Sequence, residues 1–148
     1  MGGSMNVQSI LGAKGTDVAT IAQTARLHEA IRQLGERRIG ALVVSGDGRA
    51  IEGIVSERDV VRAVSGSGSS ALDATVGSVM STDVVTCSSG DGVDRLMSLM
   101  TDRRIRHLPV VDGAGHLTGI ISIGDVVKAR LTQLEHENQA LSQYISGH

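Results

Sequence analysis

Two stretches of matching design hold the residues best suited to chemistry, Gly53-Ile54-Val55-Ser56-Glu57-Arg58-Asp59 and Gly119-Ile120-Ile121-Ser122-Ile123-Gly124-Asp125. Each reads as an apolar strand that stops at a Ser, which opens a helix carrying an Asp one turn in. A strand-to-helix junction of this kind aims backbone N–H groups and the positive end of a helix dipole at one point, which suits phosphate or another anion. The carboxylate beside it can accept from neutral hydroxyls. The same Ser-x-x-Asp spacing also works with no ligand at all, as a capping box with Asp in place of Glu, worth about 0.5 to 2 kcal/mol.

The repetition extends beyond these stretches. Val18 to Val64 can be laid on Val84 to Arg130 without a gap at a constant offset of 66 residues. Arg37-Arg38-Ile39 meets Arg103-Arg104-Ile105, Leu42 meets Leu108, Val44 meets Val110, and Asp59-Val60-Val61 meets Asp125-Val126-Val127. Ahead of each copy a shorter piece corresponds, Val7-x-Ser9-Ile10-Leu11 with Val76-x-Ser78-Val79-Met80, after which the first copy carries three extra residues including Lys14-Gly15. Self-similarity of this kind marks a tandem duplication.

Each copy reads in the same order. A short strand near Val18 to Ile21, or Val84 to Thr86, leads to a helix opened by Thr24 or Ser89. Apolar residues then fall at helical spacing, Leu27, Ala30, Ile31 and Leu34 in one copy and Val93, Leu96, Met97 and Met100 in the other. Two strands follow about a Gly-rich turn, Ala41 to Val44 with Ile51 to Val55, and His107 to Val111 with Leu117 to Ile121. The Ser-x-x-Asp helix closes each copy. The fold class is therefore α/β (α+β), β-α-β-β-α twice, over residues 5–65 and 76–130. Residues 66–75 read as a linker whose Ser/Gly run, 65–70, is expected to be flexible and exposed. Units this small bury little alone, so the two should pack about a pseudo-two-fold with related clefts between them.

The segment 131–148 lies outside the repeat and reads as a C-terminal helix. Leu131, Leu134, Asn138, Leu141 and Ile145 alternate spacings of three and four, the seam of a coiled coil with a polar residue that can set register. This stripe either packs on its own module or crosses to a partner subunit, and the crossing is the expected arrangement. Residues 1–4, ahead of Met5, read as a cloning remnant and are left out of the fold.

Composition excludes several classes. There is no Phe or Trp and only one Tyr, Tyr144, so the core must be aliphatic and no aromatic platform for single-stranded nucleic acid is available. A net charge of -2 gives no general pull towards nucleic acid or anionic membrane. Cys87 stands alone, which points to a small core residue in a reducing cytoplasm rather than a disulfide framework. No export signal or membrane span is indicated. The five His residues share no ligand spacing with Cys or carboxylates, so a metal site is not expected. Nor do a nucleophile, a base and an orienting residue group together.

The duplicated Gly-x-x-Ser-x-x-Asp signature and Arg106-His107-Leu108-Pro109-Val110-Val111-Asp112 resemble a CBS domain pair, or Bateman module, over about residues 7 to 130. Arg38-Ile39-Gly40-Ala41-Leu42, Ser56-Glu57-Arg58-Asp59 and Ser122-Ile123-Gly124-Asp125-Val126-Val127 are similar to the small stand-alone bacterial members. The resemblance implies regulation without catalysis. It implies binding of adenosine-containing ligands such as AMP, ADP, ATP, NAD(H) or S-adenosylmethionine between the repeats, and a disc-like homodimer. Carried over by position, it implies that Asp59 and Asp125 take ribose hydroxyls and that Ser56 and Ser122 lie at phosphate or ribose. Thr20, Ile39, Gly40 and Ala41 would hold adenine in one cleft, and Thr86, Ile105 and Arg106 in the other, each strand working with the Asp of the opposite copy. Arg58, Arg106 and His107 are the cations expected at phosphate, and Lys14 is a loop cation able to reach one. Arg37, Arg38, Arg103 and Arg104 are expected to serve the dipoles of the helices they end.

The two clefts should be unequal. Gly40-Ala41 stands where the second copy has Arg106-His107, which makes the first copy's walls the less basic and more open. Glu57-Arg58 stands where the second copy has Ile123-Gly124. The competing reading is a constitutive dimeric scaffold that binds a client protein and needs no nucleotide.

Overall fold

The computed structural model describes residues 5–146, so the expected remnant at 1–4 and the last two residues of the C-terminal segment lie outside the described residues. Among them are six α-helices and two three-stranded sheets. In the first sheet β1 (Thr20–Ile21) pairs in parallel with β2 (Ala41–Val44), which pairs antiparallel with β3 (Gly53–Ser56). The second repeats this with β4 (Cys87–Ser88), β5 (His107–Val111) and β6 (Leu117–Ser122). The helices are α1 (Val7–Lys14), α2 (Leu27–Arg37), α3 (Glu57–Ser67), α4 (Val76–Val79), α5 (Val93–Arg103) and α6 (Ile123–Ser146). The β-α-β-β-α order expected of each repeat is therefore present twice.

The amphipathic helices bury the stripe that their spacing implies. Leu27, Ala30 and Leu34 of α2 lie against β2 and β3 residues Leu42, Val44 and Val55. Val93, Leu96 and Met100 of α5 lie with Leu108, Val110 and Ile121. Met97, expected on the same stripe, is instead exposed. Cys87 is buried in the second core, and burial, with Asp91 nearby, pushes its thiol up to about 12. It is a packed residue and not a reactive thiolate.

Neither core is completed by its own repeat. Val7 and Ile10 of α1, which precede the first repeat, are buried in the core of the second. Val76 of α4 and the neighbouring Val79 and Met80, which precede the second repeat, belong to the core of the first. Backbone bonds follow the same exchange. The Val7 amide donates to the Asp91 carbonyl and the Val76 amide to the Ala25 carbonyl. In return, the Leu27 amide donates to the Ala74 carbonyl and the Val93 amide to the Met5 carbonyl.

These bonds move the helix starts away from their expected positions. The expected openers Thr24 and Ser89 cap nothing; the N-cap residues are Arg26 and Gly92, and neither makes a side-chain cap bond. A carbonyl of the exchanged segment accepts from the first amide of each helix. The β4 strand likewise lies at Cys87–Ser88, later than the expected 84–86.

The motif glycines serve the same approach. A Cβ on Gly53 would lie 2.6 Å from Met80 Sδ and 2.9 Å from the Ser81 carbonyl oxygen, and one on Gly119 would lie 2.9 Å from Leu11 Cδ2. Both are packing glycines that admit the segment crossing from the other repeat.

The Ser/Gly run 65–70 is exposed, but it is not irregular. The α3 helix continues to Ser67, and Gly68–Asp73 forms a 3-10 helix whose Ala71 is buried in the first core. Ala71 anchors the run in the first core, and Gly68 supplies the positive φ, 63°, at the end of α3.

The exchange predicts a crossed effect. Val76→Ala, which removes a fully buried side chain, should cost about 2 kcal/mol in chemical denaturation. In hydrogen exchange it should lower protection of the Leu42 and Val55 amides of the first repeat before those of Leu108 and Ile121. Loss of protection starting in the second repeat would contradict the exchange.

Candidate functional site

At the start of α3 the Ser56 amide donates to Asp59 Oδ2 at 2.8 Å, and the Asp59 amide donates to Ser56 Oγ at 3.4 Å. At the start of α6 the Ser122 amide donates to Asp125 Oδ2 at 2.9 Å, and the Asp125 amide to Ser122 Oγ at 3.2 Å. Both Ser-x-x-Asp pairs are thus capping boxes, which hold each carboxylate in a defined place at the end of its strand. The leading amide of each helix is already used. Glu57 N–H donates to the Gly40 carbonyl at 3.0 Å and Ile123 N–H to the Arg106 carbonyl at 2.8 Å. These two donors, expected to face an anion, instead pin each helix to the residue before its own β2 or β5 strand.

A cavity of about 720 Å³ lies between the repeats. Val18, Ala19, Ile39, Gly40 and Ala41 line it from the first repeat, and His107, Ile120 and Ser122 from the second. Lys14, Asp17, Arg37 and Arg38 complete the wall. Of the expected residues, Lys14, Ile39, Gly40, Ala41, His107 and Ser122 therefore meet in one space. Asp125 adjoins it through Lys14, whose Nζ donates to Asp125 Oδ2 at 2.7 Å and to the Ile120 carbonyl at 3.0 Å. Thr20 is next to this wall on β1, paired with Val43, and is not part of the lining.

Arg37 and Arg38, expected only to serve a helix dipole, stand on the cavity wall as well. Both roles fit one place, because α2 ends at the cleft. Arg38 and its counterpart Arg104 take left-handed backbone, each with φ 54°, at a cost of about 1 to 2 kcal/mol for a residue with a side chain. Asp17, Val18 and Ala19 are lining residues with no chemical signature in the sequence. Their position follows only from the β1 pairing, in which the Val43 amide donates to the Ala19 carbonyl.

The walls come from both repeats, and this overturns the expectation that the cleft of Gly40-Ala41 is the less basic one. Lys14, Arg37, Arg38 and His107 surround it, against Asp17 and the neighbouring Asp125. The His107 ring fills the room over Gly40, where an added Cβ would lie 2.8 Å from His107 Cε1. Gly in the first repeat is thus matched to His in the second.

The surroundings of the two carboxylates differ. Asp59 Oδ1 accepts from the Ser81 hydroxyl at 3.3 Å and Oδ2 from the Ser56 hydroxyl at 3.0 Å, both neutral donors. A second cavity, about 520 Å³, adjoins Asp59 and is lined by Arg62, Ala63, Ser67, Ala71, Ala74, Ser78, Val79 and Ser81. Thr86, Ile105 and Arg106 are not on its wall; Thr86 and Arg106 are exposed and Ile105 is half-buried against the second core. Arg58 reaches across to the other repeat, its Nη1 donating to the Arg104 carbonyl at 3.2 Å. Gly124, its counterpart in α6, is exposed.

Burial pushes the Asp125 carboxyl up, but the Lys14 ammonium and the Ser122 amide and hydroxyl outweigh it and hold it below the ordinary carboxylate range. Burial lowers His107 below the usual imidazole value, against the pull of Glu57 and Asp125 and with the help of Lys14 and Arg106. Among the described residues no group of His, Cys, Asp and Glu could hold a metal ion. Among them, too, no helix is long and apolar enough to cross a membrane.

Two duplicated β-α-β-β-α units, each finished by the other's leading segment and enclosing a cleft, define a tandem α/β repeat protein. Its family follows directly: the CBS domain matches residues 14–66 and 76–132, and the chain belongs to the CBS-domain proteins as a CBS pair. It is similar to a solved CBS-domain-containing protein of Agrobacterium tumefaciens, with 44% identity over 88% of this chain and 96% of that one and a TM-score of 0.83. A mitochondrial CBS domain-containing protein of Arabidopsis thaliana is 38% identical over 125 residues, which is 82% of this chain and only 60% of that relative's length. A Pyrobaculum aerophilum CBS domain protein, solved in complex with AMP, is 28% identical over 82% of this chain and 89% of that one, with a TM-score of 0.73.

The depressed His107 value sets a pH dependence. As pH falls below the ordinary value of 6.5, the unfolded chain takes up a proton before the folded one, so His107 stabilises fully above that value and less as pH drops through the folded one. Stability should therefore fall as pH drops below about 6.5, and His107→Gln should flatten that slope. An unchanged slope in the variant would assign the effect elsewhere.

Proposed function

We propose that the protein is a non-enzymatic regulatory module that binds adenosine-containing ligands, AMP, ADP, ATP or NAD(H), in clefts between its two CBS repeats. The observation that carries this reading is the cavity that joins Ile39, Gly40 and Ala41 of one repeat to Ser122, and through Lys14 to Asp125, of the other. Apolar and backbone atoms on one wall and a fixed carboxylate near the opposite one suit an adenine base and a ribose diol respectively. The AMP bound by the Pyrobaculum relative supports the choice of ligand class.

In this reading Asp125 and Ser122 serve the first cleft with Ile39, Gly40, Ala41 and the nearby Thr20. Asp59 and Ser56 serve the second with Thr86, Ile105 and Arg106. Arg58, Arg106 and His107 supply charge for phosphate, and Gly124 leaves the start of α6 open. The lone buried Cys87 accords with a reducing compartment such as the cytoplasm.

The exposed stripe of α6 supports a homodimer. Leu131, Leu141 and Ile145 are 56%, 58% and 65% exposed, so the stripe does not pack on its own module. A second copy of the same helix is the partner whose spacing matches, with Asn138 setting register. Occupancy regulates by favouring one arrangement of the repeats and α6 over another, which requires contacts better made in that arrangement. If the clefts bind nothing, the exposed stripe is left as the working surface and the protein is a constitutive scaffold.

In a thermal-shift panel of AMP, ATP, NAD, NADH and S-adenosylmethionine, at least one ligand at a hundredfold excess over its dissociation constant should add about 2.7 kcal/mol. Asp125→Asn and Asp59→Asn should each weaken one site and leave the fold intact. Silence across the panel selects the scaffold, and wild-type binding by both variants refutes the ribose assignment. Truncation after Arg130 should convert the dimer to monomer in light scattering; an unchanged dimer puts the interface on the repeats.

A further inference from the structure

The ion pair between Lys14 and Asp125 sits where ligand charge would be read. Its two side chains are only 32% and 22% exposed, and the 2.7 Å bond joins residues 111 positions apart. Lys14 belongs to the three extra residues of the first copy and has no counterpart in the second, where neutral Ser81 faces Asp59 instead. The cation is therefore specific to one cleft, and that cleft also carries Arg37, Arg38 and His107 on its wall.

We infer that Lys14 is the specificity-determining residue of the first cleft, selecting phosphorylated adenosyl ligands over uncharged or cationic ones by exchanging Asp125 for a ligand phosphate. This rests on the proposed reading of the cleft as an adenosyl site. A ribose diol that takes up Asp125 competes with Lys14 for the carboxylate. With an uncharged nucleoside the ammonium loses its charged partner and keeps only the Ile120 carbonyl, and a half-buried charge without a counter-charge is costly. A sulfonium ligand adds a further like charge. A 5′-phosphate restores a charge-assisted partner to Lys14, with the Arg37 and Arg38 guanidinium groups on the same wall. In the second repeat the Ser81 hydroxyl takes the corresponding place, so Asp59 holds no cation of this kind.

The exchange also gives the ligand a mechanical handle. Lys14 is the last residue of α1, whose Val7 and Ile10 close the second core, and Asp125 lies in the first turn of α6. Replacing this link with two links through one ligand changes what holds α1 to the base of α6.

Titration calorimetry with AMP, adenosine and S-adenosylmethionine on wild type, Lys14→Met and Lys14→Arg decides the matter. Wild type should prefer AMP to adenosine by at least about tenfold at one site. Lys14→Met should abolish most of that preference, chiefly by weakening AMP, while adenosine binds as well as before or better. Lys14→Arg should restore the preference. Equal weakening of AMP and adenosine by Lys14→Met, or an unchanged ratio, would make Lys14 a structural residue and overturn the inference. Absence of binding by all three ligands to wild type would overturn the adenosyl reading itself, and the inference with it.

Discussion

The exchange of leading segments is the constraint on which the rest of the structure depends. Each sheet has only three strands, and the repeat's own two helices do not complete the core by themselves. Val7 and Ile10 supply the missing apolar surface to the second repeat, and Val76 supplies it to the first. The repeats must therefore lie side by side, because each chain segment that finishes one core leads directly into the other repeat. The cleft between them is a consequence of this arrangement. Strands entering from one repeat and helix starts from the other converge wherever the exchanged segments stop.

Near-symmetry in the backbone coexists with asymmetry in the cleft. The bond from Glu57 N–H to the Gly40 carbonyl recurs as Ile123 N–H to the Arg106 carbonyl, and both α2 and α5 end on a left-handed Arg. The side chains that differ are those at the centre. His107 lies over Gly40, Lys14 is paired with Asp125, and Ser81 touches Asp59. A duplicated scaffold thus presents one carboxylate beside a cation and the other beside a hydroxyl. Because Asp125 also begins the long α6 helix, charge exchange at that carboxylate acts at the base of the same helix whose far half is exposed.

Much of the fold was legible in the sequence because duplication supplies two readings of each element. The order β-α-β-β-α and the capping boxes at Ser56 and Ser122 depend on local patterns that recur at one offset. What was not legible depends on which partner a segment meets. The apolar residues Val7, Ile10 and Val76 announce burial but not the core they enter, and the helix starts at Leu27 and Val93 follow from that hidden pairing. In the same way, Arg37 and Arg38 show a helix end without showing that the helix ends at the cleft. Gly40-Ala41 alone does not show the basicity of the first cleft, since Lys14 and His107 reach it from elsewhere in the chain.

The central claim is that one adenosyl ligand is held by both repeats at once. A nitrogen-proton correlation spectrum recorded during AMP titration tests it directly. The account predicts that the Gly40 and Ala41 amides of the first repeat shift along one binding curve with the Ser122 and Asp125 amides of the second. Shifts confined to a single repeat, or no saturable shift at all, would contradict it.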